Sequence, residues 1–169
     1  VKLLLRSLLP LLILTMLCPS VISASPASDK VTDWSVEAAI AKSKHQPIML
    51  LFTSSECHYC DRLEREVIAP MRRGGKLAKR VHLREFNIDR GGKLVDFDGE
   101  KVRARLFVSR YQVYATPTVI LIDHQGRPLS EPIVGYNGKP RYLPILQRAI
   151  ERSSASATLQ ALGQANPVR

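Results

Sequence analysis

A chain of 169 residues has room for one globular domain and a removable leader, and it shows no internal repeat and no second domain. Its 45% apolar and 24% charged composition excludes a disordered chain, and its three cysteines are too few for a disulfide-stapled scaffold. The formal charge of +10 reads as a solvated basic surface, with charges spread along the chain and acidic partners or anionic lipid headgroups as the alternative; the lack of aromatic–basic interleaving argues against nucleic acid.

Residues 1–24 have the pattern of an export signal. Lys2 and Arg6 give the positive end, Leu8 to Leu17 an apolar run broken by Pro10 and Thr15, and Ser23, Ala24 and Ser25 a small-residue site with cleavage after Ala24. The run is shorter than the roughly 20 apolar residues of a membrane span. An uncleaved membrane anchor is the alternative, as is a lipoprotein through Cys18, where Leu17 fits poorly. The expected location is the periplasm.

Residues 25–31 form a flexible lead-in, and 32–152 the folded domain. Thr32-Asp33 is a candidate cap for a helix whose inner side offers Trp34, Ala38, Ile40 and Ala41. His45-Gln46-Pro47 ends that helix, and residues 48–53 are dense enough in apolar side chains for a buried strand. Ser54-Ser55-Glu56 is the turn that follows, with Ser55 or Glu56 available to cap the next helix. That helix runs through Leu63, Val67 and Ile68 to Pro70, which is placed to kink it. Residues 81–88 alternate as a strand, with an irregularity expected at Arg84-Glu85. The acid- and glycine-rich residues 89–100 read as a loop and 100–111 as a helix. Val119 to Ile122 is a strand, Asp123 to Gly126 a turn, 131–135 a partner strand, and Pro140 to Arg152 an amphipathic helix. The Ser- and Ala-rich residues 153–169 read as a flexible tail.

The chemistry concentrates in Cys57-His58-Tyr59-Cys60, set between the buried strand and the helix. Two cysteines at this spacing close a disulfide across one helical turn. A cysteine at the helix N-terminus meets unpaired N–H groups and the positive end of the dipole, which favour the thiolate, the form that attacks a disulfide sulfur. A zinc site would need a second cysteine pair, and His45, His82 and His124 lack ligand spacing, so no metal is expected.

The order helix, strand, Cys-x-x-Cys helix, strand, helix, Thr-Pro strand, hairpin strand, helix resembles the thioredoxin fold, an α/β architecture with a central mixed sheet flanked by helices. Three patterns carry the resemblance: Cys57-His58-Tyr59-Cys60 after a buried strand, Phe86-Asn87-Ile88-Asp89 as the end of the family's central strand, and Tyr111 to Thr118 as its cis-proline segment. Within the family the chain is most similar to exported bacterial thioredoxin-related proteins of the SoxW/SoxS type.

The resemblance implies roles. Cys57 is the attacking thiolate, Cys60 the resolving thiol, and their disulfide serves in place of a cofactor. Pro117 is cis beside the pair, against the plainer reading of a strand-start proline. Thr116 then pairs with an extended substrate as a strand would. His58 tunes the potential by stabilising the thiolate, or is a solvent-facing spacer, and Tyr59 is grouped with it. The family's buried acid six positions before the first cysteine is replaced here by Leu51. Glu85 is the candidate proton relay in its stead, against the reading of a solvated strand residue, and Glu56 is a second carboxylate near Cys57. The implied activity is periplasmic disulfide reduction, with protein thiols and disulfides as partners and a membrane thiol carrier as electron source. A disulfide oxidase or isomerase, and a non-catalytic binding module, are the alternatives. With no separate dimerisation domain, a monomer is expected.

Overall fold

The computed structural model describes residues 32–75 and 77–165, the side chains of 161–165 excepted; the leader, the lead-in and the last four residues lie outside it. Helix α1 spans Trp34–Ser43, strand β1 Ile48–Thr53 and helix α2 His58–Leu63. A π turn over Glu64–Ile68 joins α2 to α3, Ala69–Arg73. Strands β2 (His82–Asn87), β3 (Lys93–Val95) and β4 (Lys101–Arg103) follow, then α4 (Ala104–Arg110), β5 (Thr118–Ile122), β6 (Ile133–Val134) and α5 (Lys139–Ala165).

The main sheet has the order β2-β1-β5-β6, with β1 parallel to β2 and antiparallel to β5, and β5 antiparallel to β6. This is the expected mixed sheet, although β2 is its outer strand among the described residues rather than a central one. All six residues of β1 are buried because both faces of the sheet are covered, which is why that run is apolar without alternation. Its side chains divide by parity. Ile48, Leu50 and Phe52 join Trp34, Phe86, Phe107, Tyr111 and Ile120 beneath α1 and α4. Met49 and Leu51 join Leu63, Val67, Ile68, Tyr142 and Leu146 beneath α2, α3 and α5.

Several local expectations are corrected. Residues 89–103 are not a loop leading into a helix: β3 and β4 pair as an antiparallel hairpin, Leu94 opposite Val102. It is closed by a turn in which Gly99, at φ 88°, donates its N–H to the Asp96 carbonyl. No irregularity interrupts β2, whose register with β1 runs unbroken from Ile48–His82 to Thr53–Asn87. The proline effect near Pro70 appears upstream as the π turn, where the Ala69 N–H reaches back to the Glu64 carbonyl. Pro70 has no N–H for the Glu66 carbonyl, and its ring would crowd that group in a tight α-turn. Finally, the chain does not leave its helix at 153: α5 continues to Ala165. Ser153 is fully buried, and the hydroxyls of Ser154, Ser156 and Thr158 bond the carbonyls four residues back. No described helix is long and apolar enough to cross a membrane.

Candidate active site

Strand β1 ends on a loop that is latched from two sides. The Ser55 N–H donates to Asp89 Oδ2 at 2.7 Å and Asn87 Nδ2 donates to Ser55 Oγ at 3.3 Å, which ties the loop to the end of β2. On the other side Ser54 Oγ and Thr116 Oγ1 share a hydrogen bond of 2.8 Å. The loop therefore holds its position before α2 begins, and neither Ser55 nor Glu56 caps that helix. The cap is Cys57 itself: its Sγ accepts the Cys60 N–H at 3.1 Å, while its carbonyl accepts from Cys60 and Asp61.

Cys57 and Cys60 are joined in a disulfide with their Cα atoms 5.2 Å apart. The two sulfurs are not equivalent. Cys57 is partly exposed at the lip of the helix, whereas Cys60 is 9% exposed and turned toward the core. An incoming group reaches Cys57 first. His58 and Tyr59 both project outward, their rings edge to face at 5.9 Å, and Tyr59 is 54% exposed. Glu56 is exposed as well.

The segment before β5 lies against this loop. The Thr116–Pro117 peptide bond is cis, Pro117 is buried, and the Pro117 carbonyl accepts the Gly135 N–H at 2.7 Å. Thr118 pairs with Phe52 at the end of β1, and Thr118 Oγ1 bonds the Ala115 carbonyl at 2.8 Å. The backbone of Thr116 makes no backbone hydrogen bond among the described residues. Tyr114, two residues earlier, is 83% exposed.

Glu85 sits in β2 directly beside Leu51 of β1, so its side chain shares the sheet face that α2 covers. It is half-buried, and Thr53 Oγ1 donates to its Oε1 at 2.7 Å. Leu51 is 4% exposed and packs in the core.

Three features were not read from the sequence. Tyr136 OH donates to Glu66 Oε2 at 2.5 Å, Arg62 Nε bonds Glu66 Oε1 at 3.1 Å, and the Arg62 guanidinium lies 5.6 Å from the Tyr136 ring. This network fastens α2 to the segment after β6. The bond from Tyr136 holds the Glu66 carboxyl below its usual range, while burial and the same bond push Tyr136 up to about 12. The Ser54–Thr116 contact and the role of Asp89 were missed because they join residues far apart in sequence. Only the Arg62–Glu66 spacing of four was a readable signal.

The arrangement is suited to two-electron thiol exchange: one accessible sulfur at a helix start, one shielded partner across a single turn, and a carboxylate on the covered face. Among the described residues no group of three His, Cys, Asp or Glu side chains is placed to hold a metal.

Comparison with known proteins agrees with this geometry. The family model described as thioredoxin-like domain matches residues 34–150. No curated protein sequence matches the chain. Among solved structures, the DsbH oxidoreductase is 18% identical, with a TM-score of 0.50 over 72% of this chain and 84% of its own. The periplasmic thioredoxin SoxS of Paracoccus pantotrophus is 19% identical, with a TM-score of 0.46 over 64% and 99%. The C-terminal domain of DsbD from Neisseria meningitidis is 12% identical, with a TM-score of 0.49 over 70% and 97%. The chain belongs to the thioredoxin-like family and is a thiol–disulfide oxidoreductase that works through its own Cys57–Cys60 pair.

Proposed function

We propose that the protein is exported to the periplasm and there reduces disulfides in other proteins. The observation that carries the reading is the unequal exposure of the two sulfurs at the start of α2. In the reduced protein the Cys57 thiolate attacks one sulfur of a partner disulfide. That S–S bond breaks, a mixed disulfide forms, and the leaving thiolate takes up a proton. Cys60 then gives up its proton and attacks Cys57 Sγ, releasing the partner's second thiol. Two electrons have passed to the partner, and the protein is left with the Cys57–Cys60 disulfide seen here. A membrane thiol carrier restores the dithiol by the reverse exchange.

The other residues take supporting parts. Thr116 offers its backbone groups to an extended substrate segment as an added strand would. His58 and Tyr59 face the partner, and a protonated His58 favours the Cys57 thiolate. Glu85 takes the proton that Cys60 must lose, through the Thr53 hydroxyl or water. It shares the face on which α2 packs, and it is the carboxylate bonded to Thr53.

Two measurements test this. Replacing Cys60 with Ser removes the resolving thiol, so Cys57 stays linked to whatever it attacked; periplasmic proteins recovered as mixed disulfides are the expected outcome, and none at all would leave a binding module. Equilibration with glutathione gives the direction of flow. A potential near that of thioredoxin, about −270 mV, is expected, and one near that of DsbA, about −120 mV, would make the protein an oxidase.

A further inference from the structure

We propose that the face formed by α3, the turn after it and α5 docks on an anionic lipid bilayer. The inference is independent of the redox reading. Its first support is a concentration of charge: residues 69–81 contain Arg72, Arg73, Lys76, Lys79 and Arg80 and no acid. Arg72 is engaged with Glu64 at 3.1 Å. Arg73, Lys79, Arg80 and, at the start of α5, Lys139 are exposed, with no acidic side chain in ion-pair contact among the described residues. Glu151 is the exposed acid of α5 among its described side chains, whereas Asp98 and Glu100 sit together on the β3–β4 hairpin against the opposite face of the sheet.

The second support is a groove at the same place. It has a volume of about 410 Å³ and runs between α3 and α5; Val67, Met71, Leu77 and Leu143 line it, Arg80 and Lys139 stand in its walls, and the one carboxylate of its lining, Glu66, is engaged by Arg62 and Tyr136. A largely apolar channel with two free cations in its walls and its one carboxylate already paired matches the two halves of an anionic lipid, the acyl chain for the channel and the headgroup for the cations. An acidic soluble protein would answer the charges and leave the channel unfilled. Surface binding of this kind scales with apolar area buried at the interface plus attraction to anionic headgroups.

The test is partition of the full chain onto vesicles, with the leader common to every variant so that differences report this face. The chain should bind vesicles of equal parts phosphatidylglycerol and phosphatidylcholine, weaken as salt rises, and bind pure phosphatidylcholine much less. The combined substitution Arg73→Gln, Lys79→Gln and Arg80→Gln should lower partition on the order of 100-fold, roughly fivefold per cation. Met71→Gln, in the channel, should lower it roughly fivefold. Both variants should reduce disulfides at the unsubstituted rate, which shows that they fold. Equal binding to neutral vesicles, or full binding by the triple variant, overturns the proposal. Full binding by Met71→Gln overturns the role of the groove, and with it the choice of a lipid over an acidic protein.

Discussion

The two faces of the sheet are both buried, yet they are made of different material. Beneath α1 and α4 the packing is aromatic: Trp34 stacks on Phe107 at 4.9 Å, Phe107 meets Phe86 at 5.1 Å and Tyr111 at 5.5 Å, and Phe52 meets Phe86 at 6.0 Å. Beneath α2, α3 and α5 the packing is largely aliphatic. There the strand ends carry Thr53, Glu85 and Asn87, hydrogen-bonded either to each other or to the loop before Cys57. Large rings in mutual contact resist rearrangement, whereas the polar groups along the other face lie at the strand ends beside the loop that carries Cys57. The division teaches that one layer fixes the shape of β1 and β2 while the other carries the polar groups that latch the loop before Cys57.

The sharpest way to set the faces apart is Cys57→Ser. Turnover should vanish to the uncatalysed rate in an insulin-reduction assay, since no other described thiol can begin the exchange, while the aromatic face and its near-ultraviolet signal stay intact. The converse change is Trp34→Ala. It empties the centre of the aromatic face and should cost about 3–5 kcal/mol in urea unfolding. The indole nitrogen has no hydrogen-bond partner, so no polar group is orphaned by its removal. The molecules that remain folded should still reduce disulfides at the normal rate; a lower rate per folded molecule would mean that the two layers are not separable.

A smaller effect is expected at Glu85. Glu85→Gln keeps the bond to Thr53 but cannot take a proton, and release of the mixed disulfide should slow by about 100-fold. Glu85→Asp should restore part of the rate and its pH profile, an outcome that a purely structural role would not give.

The smallest effects are in pH dependence. His82, 7% exposed beside Glu37 at 2.5 Å, has its pKa lowered because burial disfavours the imidazolium more than the Glu37 bond favours it. The unfolded chain therefore binds a proton near the ordinary value of 6.5 that the folded chain refuses, and stability falls as the pH drops through that region. Tyr136, on the α2 side, is pushed up to about 12, and burial also raises Tyr142 and Tyr111. Their unfolded forms ionise near 10, so stability is full below that pH and is lost as the pH climbs toward the folded values. Melting temperatures across both ranges check the signs. Tyr136→Phe should flatten part of the alkaline loss, and His82→Phe the acid loss.

Most of the architecture was legible because it follows from local pattern. The apolar run of β1, the Cys-x-x-Cys turn, the Asp33 cap and the Thr-Pro segment are each contained in a few consecutive residues. The misreadings arose where tertiary contact overrides composition. The three-residue strands β3 and β4 are too short to show alternation, and they exist because Leu94 and Val102 pack on the aromatic layer. Asp98-Gly99 was their readable sign. The serines after 152 suggested fraying, yet their hydroxyls fold back onto the helix and Ser154 also bonds the Arg80 carbonyl. At the site, the cysteines were plain, but the identity of the cap was not. Sulfur is an unusual acceptor at a helix start, and the loop serines were claimed instead by Asp89, Asn87 and Thr116.

That cap ties the reagent to the scaffold. The atom that exchanges electrons also accepts the Cys60 N–H, an amide that the Cys57 carbonyl holds as well, so the opening coil of the helix does not rest on the sulfur alone.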